Sequence, residues 1–347
     1  MKDYFALGIL LTSMLVCSEL SAQEGYKIEV DIAGFNEPTA QLAYHYGNKQ
    51  YIKDTIDVAD GKLLFEGEEA LDGGIYLVVL PPKNNYFEMI VGDDQHFKLS
   101  TNSTNLVEHM KVEGSVENTI FYDYLHKLGE IKEQSDKIDA EIKSIKGGKK
   151  EKELDTKSKE RLKTLKAEKG GLQETLNQHR FQIMDEHPDL FYATVLKAMK
   201  EPKIPEAPKD ANGNPIDSLH DFKYFKKHFF DDIDFSDQRL LRTPLLHNKL
   251  NQYLKQLVVR FPDSINVACD RMLKLARAND EVFKYALIQL LNKYANSKIM
   301  GMDAVYVYLV QHYYSKGDAP WVDSIALYKM EARARALSPT LVGKKAR

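Results

Sequence analysis

From residue 26 onward, hydrophobic and polar residues alternate in short runs. The period of two over residues 26–32 places three apolar side chains on one face and charged side chains on the other. The same pattern predicts further strands at 40–46, 50–58, 62–66, 75–80, 85–91 and 95–100. Asp60-Gly61 is typical of a tight turn and predicts a hairpin between the strands on either side of it. We therefore expect an antiparallel β-sandwich or an open barrel over residues 23–116.

Between residues 117 and 187 the hydrophobic period becomes that of a helix. Apolar residues recur at intervals of three, four or seven, and lysine and glutamate fill most positions between them. Gly147-Gly148 divides this stretch into two arms, which predicts a central antiparallel helical hairpin. A second glycine pair, Gly170-Gly171, predicts a kink or weak point within the second arm.

The remainder of the chain predicts a helical domain. Residues 188–216 contain one helix and a proline-rich loop, and residues 217–338 show helical periodicity that predicts a bundle. Its last three helices are expected at 279–296, 302–315 and 320–337. Residues 339–347 form a linker stub. The predicted fold class is therefore α+β, with the sheets first and the helices after them.

The first 22 residues are typical of a secretory signal peptide. An apolar run at 6–17 follows Lys2, and Ala22 ends a plausible cleavage site. Because this run is shorter than the ~20 residues that a membrane-spanning helix needs, we expect no transmembrane span in the mature chain. Val16 stands where a lipoprotein signal usually has a small residue before the cysteine, so lipidation of Cys17 is the less favoured alternative. These features predict a location in the periplasm or cell envelope.

Composition and motifs exclude several functional classes. The 48 Lys and Arg residues against 51 Asp and Glu residues give a net charge of −3, which argues against nucleic acid as a partner. The two cysteines, Cys17 and Cys269, form neither a CxxC pair nor a zinc-ligand set. The sequence also lacks the usual motifs for phosphate loops, dinucleotide binding, serine hydrolysis and zinc proteases. We therefore predict no catalytic residue, no metal and no cofactor.

Several tyrosines fall on the predicted strands and form the candidate binding surface. Aromatic rings on a sheet can stack against the C–H faces of a sugar, so these residues are a candidate glycan-binding platform. Tyrosine is also favoured in half-buried strands for structural reasons alone, and that interpretation stays open. The candidates are Tyr44, Tyr46, Tyr51, Tyr76 and Tyr86.

Four segments of the chain carry a resemblance to a known family. The segment YIKDTIDVADGKLLFEG at residues 51–67 resembles a hairpin in the N-terminal β-domain of periplasmic TlpA/ResA-like thiol–disulfide oxidoreductases. The segments at 229–237 and 240–244 resemble the helical domain of unknown function that follows it. In that family a thioredoxin-like domain with a WCxxC dithiol comes next, and residues 341–346 are similar to the segment that leads into it.

The resemblance implies a function without catalysis in this chain. No WCxxC occurs in the sequence, so the family's reactive thiols have no matching positions here. We expect either a shortened form of such an oxidoreductase or a stand-alone accessory protein. It would position a thioredoxin-like module or bind the client of that module. The alternatives are a glycan- or peptide-binding envelope protein that uses the β-domain, and a homodimer through the helical hairpin.

Overall fold

The computed structural model describes residues 25–343, so the predicted signal peptide and the last residues of the linker stub lie outside the described residues. The first part of the described chain forms two open four-stranded sheets, which confirms the predicted sandwich. The strands are β1 (Tyr26–Ala33), β2 (Thr39–Tyr46), β3 (Lys49–Asp57), β4 (Lys62–Gly67), β5 (Gly74–Leu80), β6 (Asn85–Val91), β7 (His96–Asn102) and β8 (Lys111–Glu113).

The strand order is β4-β1-β7-β8 in one sheet and β3-β2-β5-β6 in the other. Neighbouring strands run antiparallel except β1 and β7, which pair in parallel from Lys27 opposite His96 to Ala33 opposite Asn102. Parallel strands need a long crossover connection, and the chain between β1 and β7 supplies one that contains all four strands of the other sheet. Apolar side chains of both sheets fill the space between them, including the fully buried Ile28, Leu42 and Phe65.

The predicted hairpin at Asp60-Gly61 is wrong, because the strands on either side of the turn do not pair with each other. The local turn itself is present. Both turn residues have positive φ, at 53° and 71°, and Ala59 forms an isolated bridge with Lys62. Beyond this bridge the strands separate, since β3 pairs with β2 and β4 pairs with β1 in the other sheet. Pairing with β1 places Phe65 opposite Ile28 in the interior, whereas β3 is largely exposed. The gain from burial therefore overrides the local turn signal.

The central helical hairpin is confirmed. Its arms are α1 (Val116–Lys146) and α2 (Thr156–Glu186). Ser115 caps the first arm by accepting a hydrogen bond from the Asn118 amide, and Gly147 ends that arm in the left-handed conformation. The second arm continues without a break through Gly170-Gly171, where the sequence predicted a kink or weak point.

The C-terminal part of the described chain is helical, as predicted, and its apolar core is continuous with that of the sandwich. Among residues 25–343, no helix combines the length and the apolar character needed to cross a bilayer. A 3₁₀ turn at Gln238–Arg242 and a π-helical turn at Tyr253–Leu257 interrupt the regular helices. The helices are α3 (Phe191–Met199), α4 (His220–His228), α5 (Leu245–Gln252), α6 (Pro262–Ala276), α7 (Asp280–Ala295), α8 (Asp303–His312) and α9 (Ser324–Leu337).

The start of α1 covers the edge strand β6. The Asn118 side chain accepts a hydrogen bond from the Ile90 amide at 2.8 Å and donates one to the Ile90 carbonyl at 2.7 Å. The Tyr122 hydroxyl donates to the Glu88 carbonyl at 2.6 Å. These bonds satisfy backbone groups that an edge strand would otherwise present to a partner. One edge of this sheet is thus closed by the chain itself.

Candidate interaction site at the edge of the sandwich

Three of the five candidate tyrosines come together in the structure. The strand registers place Tyr44 on β2 opposite Tyr51 on β3 and opposite Tyr76 on β5. The ring centroid of Tyr44 lies 5.8 Å from that of Tyr51 and 6.0 Å from that of Tyr76. We call Tyr51, Tyr44 and Tyr76 the tyrosine row.

The other two candidates lie outside this row. Tyr46 contacts α7, where its ring meets that of Tyr285 edge-on at 5.5 Å and its hydroxyl donates to the Glu281 carboxylate. Tyr86 is exposed on β6, at the opposite edge of the sheet from Tyr51. The five residues therefore do not form one platform.

Exposure differs sharply along the tyrosine row. Tyr76 is 1% exposed, and its hydroxyl donates to the Asp72 carbonyl at 2.9 Å. Burial raises the pKa of Tyr76 to about 12. Tyr44 is half-buried, whereas Tyr51 is 42% exposed. Tyr76 thus anchors the row, and Tyr51 is the ring that a partner can reach.

Arg242 covers the middle of the row. Its guanidinium carbon lies 4.6 Å from the Tyr44 ring centroid, and it forms an ion pair with Asp72. A cation over a tyrosine ring is an attractive contact. A Cβ atom on Gly74 would lie 2.3 Å from the Cβ of Arg242, so the close approach of β5 to this arginine requires glycine.

Beside Arg242 lies a polar cleft of about 300 Å³ between the sandwich and the helical region. Its charged groups are largely paired within the protein, as Arg239 is with Asp237 at 2.7 Å. Among the cleft residues, the sequence had singled out Tyr46 as part of the candidate binding surface, and Arg242 entered only within the segment that carries the family resemblance. No local pattern could have identified the cleft itself, because its residues converge from the sandwich, the 3₁₀ turn and α7. The lining includes Tyr46, Asp72, Arg239, Arg242 and Glu281.

The turn between β2 and β3 fixes the sandwich to the helical region. The Gly47 amide donates to the Leu241 carbonyl at 2.6 Å. Gly47 has a φ of +61°, and a Cβ atom there would lie 1.7 Å from the Tyr285 hydroxyl. Only glycine combines this conformation with this close approach. The open edge of the sheet is therefore held in a fixed position relative to α7.

A hydrogen-bonded chain of side chains continues from Tyr285 into the helical region. His247 Nδ1 lies 2.8 Å from the Tyr285 hydroxyl, and the Asn251 amide nitrogen lies 2.7 Å from His247 Nε2. Lys293 Nζ donates to Asn251 Oδ1 at 2.8 Å. Burial and the positive charge of Lys293 lower the pKa of His247. The neutral imidazole fits this chain, since its Nε2 can accept from Asn251 while Nδ1 donates to Tyr285.

The outer edge of β3 is open, unlike that of β6. Within residues 25–343, β3 pairs only with β2, and Tyr51 and Ile52 are 42% and 60% exposed. The register shifts by one residue at Lys53, which places a bulge and a charge in the middle of the strand. Bulges and lysines are common protections of an edge strand against aggregation. The segment before the bulge keeps regular pairing and carries the exposed apolar surface.

The single thiol of the described chain is not placed for chemistry. Cys269 is fully buried on α6, and burial raises the pKa of its thiol to about 12. A thiol attacks as the thiolate, so this residue is a poor nucleophile at neutral pH. Within residues 25–343, no group of three or more histidine, cysteine, aspartate or glutamate side chains is arranged to hold a metal ion.

Comparison with known proteins gives two family models that match the chain. One, described as domain of unknown function (DUF5106), matches residues 144–338. The other, described as domain of unknown function (DUF4369), matches residues 26–121. No curated protein and no solved structure matches the chain. Neither description refers to a thioredoxin-like protein, so that resemblance remains a prediction.

Proposed function

We propose that this chain, which belongs to the family described as domain of unknown function (DUF5106), is a non-catalytic interaction module of the periplasm or cell envelope. It binds an extended segment of a partner protein along β3. The partner is a thioredoxin-like redox module or the client of one. The observation that carries the proposal is the open edge of β3, where Tyr51 and Ile52 are exposed at the end of the tyrosine row.

An edge strand recognises a peptide chiefly through its backbone. The unpaired amide and carbonyl groups of the edge add a strand to the sheet, and neighbouring side chains supply specificity. Here Tyr51 and Ile52 provide apolar contacts, while Arg242 and Asp72 at the middle of the row provide polar ones. The other edge of this sheet, β6, is covered by Asn118 and Tyr122 of α1. Within this sheet, β3 is therefore the edge of the described chain that is free to pair with a partner.

Two further observations support a binding role rather than disulfide exchange or sugar recognition. The buried Cys269 has neither the exposure nor the pKa of a reactive thiol. A glycan platform needs accessible ring faces, and within the tyrosine row only Tyr51 is exposed. A peptide that pairs with the backbone needs no second exposed ring.

The proposal is tested with an array of ten-residue peptides that cover other proteins of the same cell envelope. Peptides that bind should protect backbone amides of β3 from hydrogen exchange. The double variant Tyr51→Ser/Ile52→Ser should weaken their binding by about tenfold, which corresponds to the loss of about 1.4 kcal/mol of contact energy.

Tyr86→Ser is the matched control, because it removes an exposed ring from the edge strand β6, which α1 covers. It should leave peptide binding unchanged. The proposal fails if no peptide binds, if protection maps away from β3, or if the two variants behave alike. Hits on a glycan array that Tyr51→Ser abolishes, without any peptide binding, would favour the sugar-binding alternative instead.

A further inference from the structure

A second cavity lies in the helical region, away from the tyrosine row. It encloses about 350 Å³ beside the π-helical turn at Tyr253–Leu257. This volume falls at the small end of the range for small-molecule pockets, which is about 300 to 1,000 Å³. A π-helical turn within a helix is uncommon and often accompanies a functional site.

The floor of this cavity is apolar. It is formed by side chains from the π-helical turn, α6, the end of α7 and the segment between α7 and α8, and most of them are buried. The floor residues are Leu254, Ile265, Tyr294, Ile299 and Met302. An apolar ligand group of modest size would lose its contact with water here.

The charged groups of the lining are all cationic. Lys255, Arg260 and Lys293 line the cavity, and no carboxylate does. Within residues 25–343, these three side chains form no ion pair, whereas several lysines and an arginine of the helical hairpin are paired with carboxylates. Burial lowers the pKa of Lys293, and the neighbouring charge of Lys255 lowers it further.

Lys293 is also held in place. Its Nζ donates to Asn251 Oδ1 at 2.8 Å, and Asn251 is itself bonded to His247. Two donors of the ammonium group remain for a ligand. A fixed donor at the boundary of an apolar floor suits a ligand whose anionic end lies next to its apolar part.

We propose that this cavity binds a small amphipathic monoanion, in which a medium-length apolar tail ends in a carboxylate. The tail lies on the floor, and the carboxylate is bound by Lys293, Lys255 and Arg260. The cavity encloses too little volume for a long lipid chain, and three uncompensated cations explain the preference for an anion. This site is separate from the β3 edge and does not depend on the function proposed for that edge.

Calorimetric titration with octanoate tests the site on the whole protein. We expect saturable binding with one molecule per chain. 1-Octanol, which has the same tail without the charge, and acetate, which has the charge without the tail, should each bind at least about tenfold more weakly. Octylammonium should not bind, because its charge has the same sign as the cavity.

Variants locate the binding. The double variant Lys255→Gln/Arg260→Gln should weaken octanoate binding by about tenfold. Ile299→Ser should weaken octanoate binding by about fivefold. Ile299, Lys255 and Arg260 are exposed, so these variants should fold, which far-ultraviolet circular dichroism checks. Lys274→Gln removes an exposed cation of α6 that does not line the cavity and should have no effect.

Three results would overturn the proposal. The first is the absence of octanoate binding, and the second is equal weakening by Lys274→Gln and by the double variant. The third is much tighter binding of a peptide that ends in leucine, which would assign the cavity to the C-terminus of a protein partner.

Discussion

At the scale of single residues, Gly47 determines how the sandwich meets the helical region. We expect Gly47→Ala to lower the free energy of unfolding by about 3 kcal/mol, because it combines a strained backbone with overpacking. The new methyl group would lie 1.7 Å from the Tyr285 hydroxyl, and the backbone there has a φ of +61°. Chemical denaturation of the two proteins measures this difference.

The matched control is Gly213→Ala. Gly213 has a φ of +84° but open space around its Cβ position, so the backbone penalty remains and the clash is absent. We expect a loss of about 1 kcal/mol or less for this variant. Equal losses for the two variants would mean that the contact with Tyr285 contributes nothing beyond backbone strain.

The pH dependence of stability should report on His247. Its pKa in the folded protein is lowered by burial and by Lys293, below the ordinary value near 6.5. The neutral imidazole therefore makes its full contribution to the free energy of unfolding above the ordinary pKa near 6.5. This contribution is lost as the pH falls through the pKa of the folded state. Because the bonds to Tyr285 and Asn251 need that neutral form, the junction should weaken in acid.

Urea denaturation between pH 5 and pH 8 checks this prediction. The wild-type protein should lose its advantage over His247→Gln as the pH falls. His45, whose pKa burial also lowers, is present in both proteins and cancels in the comparison. A difference between the two proteins that stays constant across this range would contradict the role assigned to His247.

The tyrosines show how far residue-level prediction from sequence reaches. Tyr44, Tyr51 and Tyr76 meet because strand register aligns them, and the alternation pattern had placed each of them on a strand. Their exposure was not predictable, because it depends on Arg242 and Asp72 from other parts of the chain. Tyr76 is therefore explained by its structural place in the buried part of the sheet, whereas Tyr51 remains a candidate for contact with a partner.

At the scale of elements, local patterns located most strands and helices to within a few residues. Period-two alternation reports on the burial of one strand face, and that burial is present in β1 and β7. Pairing is a property of two strands, and sequence alternation does not encode it. For this reason the turn at Asp60-Gly61 was predicted and the separation of β3 from β4 was not. The parallel pairing of β1 with β7 was missed for the same reason.

The second arm of the hairpin offers a stability test at this scale. Gly170 and Gly171 lie within the continuous helix α2, and nothing lies within 4 Å of a Cβ atom built on either. Alanine is favoured over glycine in a helix by about 1 kcal/mol per residue. We expect Gly170→Ala/Gly171→Ala to stabilise this arm by about 1 to 2 kcal/mol.

Hydrogen exchange of the α2 amides measures the effect locally, within the arm itself. Gly129→Ala is the matched control in α1, because Gly129 also has open space around it. It should slow exchange in the first arm by a smaller amount. If the double variant speeds exchange in α2, the glycine pair has a structural role that the helix geometry does not explain.

At the scale of the whole molecule, the hairpin determines the expected oligomeric state. The apolar stripes on which the homodimer alternative rests pack against each other between the two arms of one chain, where Leu162 and Leu165 are buried. Charged pairs flank them, such as Arg161 with Glu141 at 2.7 Å. In the described arms, the exposed large apolar side chains are Val116 and Phe181, at the end that joins the rest of the protein. The outer part of the hairpin therefore lacks the apolar centre of a stable dimer interface.

We accordingly expect light scattering of the purified protein to give the mass of one chain, unchanged over a wide concentration range. A dimer that forms through the hairpin should dissociate when its surface is altered, so Phe181→Ser is the informative variant, since Phe181 is more than half exposed. A dimeric mass that this substitution reduces to that of one chain would contradict the expectation. A dimer that instead dissociates in Tyr51→Ser/Ile52→Ser would show that a second copy occupies the open edge of β3, which would identify the partner of that edge as the protein itself.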